Sequence, residues 1–228
     1  MSRLEKSNQG DVSTHLRISV VSPVLIWGLI GALCIVAGLV LGAVVSGDAE
    51  GPFEHDIIAW VQGSGDPRWD SLAWAGSRIG DVWPGVLLSA LVFAVACAVT
   101  GRHMVASVFL AAAFLRLLST PLKISFNSPR PPLDLIRLSE GFSGFGYPSG
   151  HALGATLIYG TLLLFVDRLV AARGLRWIIA LFAAFVILLV AWSRVRLGVH
   201  WPSDVVGGVL FGFGFLAVLR AVFLGMGH

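Results

Sequence analysis

Six apolar runs leave this chain few ways to fold. They cover residues 24–45, 82–100, 104–122, 152–170, 177–192 and 205–224, each close to the ~20 residues that a helix needs to cross a bilayer. Hydrocarbon offers a backbone no water, so a run of this length must satisfy its own N–H and C=O groups as a helix. The expected fold is therefore all-α: a polytopic membrane protein with six transmembrane helices in one bundle. A hydrophobic content of 56% with only 13% charged residues excludes an ordinary soluble domain. The 228 residues suit a single domain over 23–228. Residues 1–22 are polar and mixed in charge (Arg3, Glu5, Lys6, Asp11, His15, Arg17) and read as a cytoplasmic tail. The first apolar run begins too late and is too long for a signal peptide.

Between the first two runs, Phe53, Ile57, Ile58, Trp60, Val61, Trp69, Leu72 and Trp74 recur at roughly helical spacing, broken at residues 63–67. This predicts two short amphipathic helices lying in the outer headgroup region. Trp27, Trp83, Trp177 and Trp201 fall near run ends, where an aromatic belt anchors spans. Cys34 and Cys97 lie inside apolar runs and read as small buried hydrophobes rather than a disulfide or metal site. The net charge of +3 comes without a basic run, so no nucleic-acid partner is expected.

Polar chemistry gathers at three run ends. One run gives way to Lys123-Ile-Ser-Phe-Asn-Ser-Pro-Arg130-Pro131, another opens at Tyr147-Pro148-Ser149-Gly150-His151, and the third break reads Ser193-Arg194-Val-Arg196-Leu-Gly-Val-His200-Trp-Pro-Ser-Asp204. With six spans, all three meet at one membrane face. His200 and Asp204 are four apart, so a helical turn starting near Pro202 brings the carboxylate to the imidazole. An Asp on one ring N–H fixes the tautomer and leaves the other nitrogen free to attack. Lys123, Arg130 and Arg194 suit the non-bridging oxygens of a phosphate. Ser149 and Gly150 stand just before a helix, where free N–H groups favour an anion. His151 is placed to protonate a leaving oxygen. With no spare carboxylate cluster, neither a metal nor a cofactor is expected.

These three segments carry the patterns K-x6-R-P, P-S-G-H and S-R-x5-H-x3-D without departure. The chain thereby closely resembles the type 2 phosphatidic acid phosphatase superfamily, on motifs confined to residues 123–204. The resemblance implies a bundle with the core of vanadium haloperoxidases and metal-independent hydrolysis of phosphomonoesters or diphosphates through a phosphohistidine. By position it assigns the nucleophile to His200, its orienter to Asp204 and the general acid to His151. Phosphate binding falls to Lys123, Arg130, Ser149, Gly150 and Arg194. Family analogy points to a bacterial undecaprenyl-diphosphatase-like member acting on a polyprenyl diphosphate. Phosphatidic acid or phosphatidylglycerol phosphate is the alternative substrate, and a phosphotransferase using the same histidine is an alternative reaction. A six-span lipid transporter would instead spread ionisable residues at mid-bilayer. The partners expected are a lipid phosphate and membrane lipids.

An even number of spans puts both termini on one side. Eight Lys and Arg lie there (Arg3, Lys6, Arg17, Arg102, Arg168, Arg173, Arg176, Arg220) against seven opposite (Arg68, Arg78, Lys123, Arg130, Arg137, Arg194, Arg196). Setting four of the seven aside for phosphate chemistry leaves eight against three. That puts the termini in the cytoplasm and the active face outside the inner membrane. Arg116 lies seven residues before Lys123, ~10 Å deeper along a helix. A lipid-facing charge there is costly. It is expected beneath the phosphate cradle, bonding backbone carbonyls or a carboxylate such as Asp204. Arg196 has two readings, phosphate clamp or lipid headgroup contact, and the second is preferred. His15, His55, His103 and His228 lie outside the motifs and are expected in solvent, as are Asp134, Arg137 and Glu140 in the active-face loop.

Overall fold

A computed structural model describes residues 22–46, 53–81, 85–136 and 144–227. Most of the expected tail, Trp83, Arg137, Glu140, His15 and His228 lie outside them. The described residues contain no strand. They form α1 (Pro23–Val45), α2 (Glu54–Gln62), α3 (Pro67–Gly80), α4 (Leu87–Val99), α5 (His103–Leu115), α6 (Ser119–Phe126), α7 (Gly150–Leu169), α8 (Arg173–Arg196) and α9 (Pro202–Gly225). Five helical segments are long and apolar enough to cross a membrane: α1, the α5–α6 unit His103–Phe126, α7, α8 and α9. The chain is thus a multi-pass membrane protein. Among the described residues, the run expected over 82–100 supplies the 13-residue α4, preceded by a π-helical turn at 85–86. At 1.5 Å per residue α4 measures ~20 Å, short of a ~30 Å hydrocarbon core.

Lipid tails are as apolar as leucine, so close van der Waals contact must hold such helices together, and small residues permit it. A Cβ on Gly31 of α1 would sit 3.0 Å from the carbonyl oxygen of Gly214 on α9. The two backbones therefore touch directly. The opposite face of α1 is left to lipid, with Leu29 60% and Leu33 70% exposed. α7 is the central helix, its Leu153, Ala155, Leu157, Ile158 and Phe165 fully buried among α5, α8 and α9.

The two short helices of 53–80 are amphipathic in fact. Phe53, Ile57, Trp60 and Trp69 are exposed, while Glu54, Ile58, Gln62 and Ala73 are buried. The inner face packs on α8 and α9. A Cβ on Gly76 would come within 3.0 Å of Leu189 O and Ser193 Cβ, so α3 lies close against the end of α8. Trp201 departs from the belt expected of it: it is 3% exposed and clusters with Ile58, Ala152, Val195 and Val205. His55, expected in solvent, packs its ring 5.1 Å from that indole.

Candidate active site

The fifth apolar run continues as helix beyond Trp192, so Ser193, Arg194 and Arg196 occupy the last turn of α8 rather than a loop. Cations are favoured there by the negative end of the helix dipole. The chain then reverses through Gly198, whose φ of +67° is a left-handed conformation that glycine adopts without strain. His200 follows, and α9 begins at Pro202, a residue whose missing N–H costs nothing in a first turn.

His200 Nδ1 lies 2.9 Å from Asp204 Oδ2, with the two side chains 2% and 0% exposed. The same oxygen accepts the Trp201 N–H at 3.1 Å. The expected four-residue turn thus pairs the imidazole with the carboxylate and leaves Nε2 unengaged by Asp204. Arg130 Nη1 stands 3.4 Å from that nitrogen and donates to Val199 O at 2.6 Å. Burial first, then the charges of Lys123, Arg130 and Arg194, hold the imidazole well below the usual histidine range. His200 is therefore neutral, the form a nucleophile requires.

The second motif enters through Tyr147, which is buried and packed edge-on against Phe126 at 5.1 Å and Phe211 at 6.3 Å. Its hydroxyl donates to Gly38 O on α1. The Tyr147–Pro148 peptide is cis. Ser149 N-caps α7 but makes no side-chain cap; instead its N–H donates to Asp204 O at 2.8 Å. Its Oγ is fully buried without a partner among the described residues. A buried unpaired hydroxyl costs about 1–3 kcal/mol. At a helix N-terminus, beside unpaired backbone N–H groups, a phosphate oxygen would relieve that cost.

Lys123 Nζ donates to Phe145 O at 2.7 Å and Gly146 O at 2.9 Å. Arg130 Nε donates to Gly144 O at 3.1 Å. Both cations of the first motif thus hold the loop that delivers the second. Arg194 is 4% exposed and donates to Ser77 Oγ of α3. His151 Nε2 lies 2.9 Å from Asp81 Oδ1. The structure therefore brings Lys123, Arg130, Ser149, Gly150, His151, Arg194, His200 and Asp204 to one end of the bundle.

Arg116 sits on the 3₁₀ turn Arg116–Leu118 between α5 and α6, beneath the start of α7. A Cβ on Gly150 would meet its Nη2 at 2.6 Å, and one on Gly154 its Cδ at 3.0 Å. It faces inward, but its Nη1 donates to Ser119 Oγ and no hydrogen bond joins it to Asp204 among the described residues. The tightened turn that interrupts the helix sets Arg116 against α7 instead.

Arg196 overturns both readings proposed for it. It is 1% exposed, pairs with Asp70 Oδ1 through Nε at 3.0 Å and Nη2 at 2.6 Å, and donates to Val61 O and Ser64 O. Buried charge demands such a partner, and the α2–α3 hairpin supplies it. Sequence reasoning also missed Glu54, whose Oε1 accepts the Ser203 N–H at the start of α9 at 2.8 Å, along with Asp70, Ser77 and Asp81. The available signal was charge balance: three of these four are acids, in a segment taken to be a lipid-facing surface, facing a motif rich in arginine.

Residues 103–225 match the profile of the PAP2 superfamily. An undecaprenyl-diphosphatase of Sulfolobus acidocaldarius is 42% identical over 76 residues, 32% of each chain. Phosphatidylglycerophosphatase B of Bacillus subtilis is 36% identical over 98 residues, 42% of this chain and 47% of that one. The chain thus spans between about a third and a half of the length of these curated relatives. Among solved structures, a transmembrane PAP2 type phosphatidylglycerolphosphate phosphatase from Bacillus subtilis superposes with a TM-score of 0.70 at 23% identity. That match covers 86% of this chain and 96% of the other. Aquifex aeolicus LpxE superposes with a TM-score of 0.55 at 21% identity, over 76% and 97% of the two chains. Both likenesses are of fold.

Proposed function

Because the chain belongs to the PAP2 superfamily, we propose that it is a membrane phosphatase that hydrolyses a lipid phosphate or diphosphate through a phosphohistidine. The observation that carries this reading is the buried His200–Asp204 pair, its Nε2 beside Arg130 rather than Asp204, close to an α7 N-terminus whose Ser149 hydroxyl has no partner among the described residues. His200 Nε2 attacks phosphorus, Asp204 holds the Nδ1–H and offsets the imidazolium charge, and His151 protonates the departing oxygen. Lys123, Arg130, Arg194 and the N–H groups around Ser149 and Gly150 stabilise the charge gathered on the phosphoryl oxygens. Water then attacks the phosphohistidine, with His151 accepting its proton.

The substrate we favour is a polyprenyl diphosphate, cleaved to the monophosphate. The competing substrates are phosphatidylglycerol phosphate, supported by the name of the Bacillus relative, and phosphatidic acid. We further propose six spans, with α4 and the residues before it forming the sixth within one domain over 23–228. The α2–α3 hairpin then lies in the outer headgroup layer, the termini are cytoplasmic and the site opens outside. The exposed Phe53, Trp60 and Trp69 support that placement of the hairpin. Purified protein in detergent, given each lipid separately, tests the substrate. Fastest phosphate release from the polyprenyl diphosphate is expected. A phosphorylated acceptor lipid in place of free phosphate would make the protein a phosphotransferase.

A further inference from the structure

The residue that follows α3, its C-cap Asp81, brings to the site a carboxylate that none of the three motifs contains. Asp81 Oδ1 lies 2.9 Å from His151 Nε2, with the two side chains 25% and 20% exposed. Beside it, a Cβ on Gly80 would sit 3.0 Å from His151 Cδ2 and 3.1 Å from its Cβ. The end of α3 therefore lies directly against the imidazole. Arg78 Nη1, on the last turn of α3, stands 3.8 Å from Asp81 Oδ2. Among the described residues, four cations stand around His151: Arg194 from α8, Arg116 from the 3₁₀ turn, Lys123 from α6 and Arg130 from the loop beyond it. His200 approaches from the α8–α9 turn. A histidine that must carry a proton among four cations needs a negative partner, and Asp81 lies within hydrogen-bond distance of its ring.

Building on the phosphatase reading above, we propose that Asp81 is the positioning residue of His151: it accepts the Nε2–H and fixes the tautomer that offers Nδ1 to the ester. The site then holds two Asp–His pairs with different tasks. His200–Asp204 serves the nucleophile, and His151–Asp81 serves the leaving group. As the N–P bond forms at His200 Nε2 and the P–O bond breaks, the Nδ1 proton of the His151 imidazolium passes to the departing oxygen. His151 is left neutral, its Nε2–H still on Asp81. In the second half, Nδ1 takes a proton from water as the water oxygen bonds phosphorus and the N–P bond breaks. Phosphate leaves and the imidazolium is restored.

Leaving-group dependence separates this role from a merely structural one. A long-chain alkyl phosphate needs its departing oxygen protonated, whereas 4-nitrophenyl phosphate expels 4-nitrophenolate, a stable anion. The comparison is made on kcat/KM, which covers the steps from free enzyme and substrate through loss of the leaving group. Asp81→Asn is expected to lower kcat/KM for the alkyl ester at least about tenfold, part of the ~10²–10⁴ that a general acid supplies, and for the aryl ester less than about threefold. Adding Asp81→Asn to His151→Ala should cost nothing further, because residues acting as one unit are not additive. Asp81→Glu keeps the carboxylate and should recover part of the alkyl-ester rate. Where Asp81→Asn fails to accumulate, Asp81→Glu carries the test, with a larger loss on the alkyl than on the aryl ester. Equal losses on both esters, or fully additive losses in the double variant, overturn the assignment of Asp81 alone. A wild-type protein that hydrolyses neither ester overturns the phosphatase reading and this inference with it.

Discussion

At His200, burial and three surrounding cations act in the same direction, and both lower the pKa of the imidazole. The neutral form is the attacking form, so the nucleophile stays competent as pH falls through ~6.5, the ordinary histidine value. The acid limb of kcat/KM, corrected for the substrate's own ionisation, is therefore expected well below pH 6.5. A limb at 6.5 would mean that the ring is hydrated and uncoupled from Lys123, Arg130 and Arg194. The sequence singled out His200, His151, Asp204, Lys123, Arg130, Ser149 and Arg194, which the fold brings to one end of the bundle, because the spacing within each motif runs along a single helix or turn. Asp81, Glu54 and Asp70 were illegible for the opposite reason. Their partners are 70, 149 and 126 residues away, and only tertiary docking brings them together.

At the scale of elements, the α2–α3 hairpin is what holds the α8–α9 turn in place. Glu54 accepts from the start of α9, Gln62 donates to Val195 O at 3.3 Å, and Arg196 reaches across to Asp70, Val61 and Ser64. Breaking a buried ion pair from one side strands the other charge and costs about 3–5 kcal/mol. Arg196→Met is accordingly expected to lower the thermal midpoint in detergent by several degrees and to reduce kcat, because the turn carrying His200 loses its brace. Arg196→Met with Asp70→Leu should regain part of the midpoint, since no lone charge remains. An unchanged midpoint in the single variant would return Arg196 to the headgroup role first assigned to it. Amphipathic spacing pointed to helices where α2 and α3 stand, while their place in the headgroup layer belongs to the proposed topology. It could not say that their inner faces would grip the turn that carries His200, since periodicity reports that a face is apolar and not what covers it.

For the whole molecule, the proposed topology rests on a charge count that tips only after the phosphate ligands are set aside, so it calls for a direct test. In a background with Cys34 and Cys97 replaced by serine or alanine, Gly65→Cys, between α2 and α3, should react with a membrane-impermeant thiol reagent on intact cells. Ala172→Cys, between α7 and α8, should react only after permeabilisation. The reverse labelling would put the site in the cytoplasm and expose it to a different pool of lipid phosphates. Run lengths gave the bundle and five of its spans to within a few residues. The remaining run supplies the 13-residue α4 among the described residues, and its span belongs to the proposed topology because apolar composition alone does not mark where a helix begins.

The covalent step admits the most direct measurement. Protein mixed with a ³²P-labelled lipid phosphate, quenched in alkali within milliseconds and digested, is expected to yield an alkali-stable, acid-labile label on the peptide that contains His200. The label should be absent from His200→Ala, which should retain no more than about a tenth of wild-type kcat. An acid-stable label on Ser149, or near-normal turnover by His200→Ala, would contradict the account.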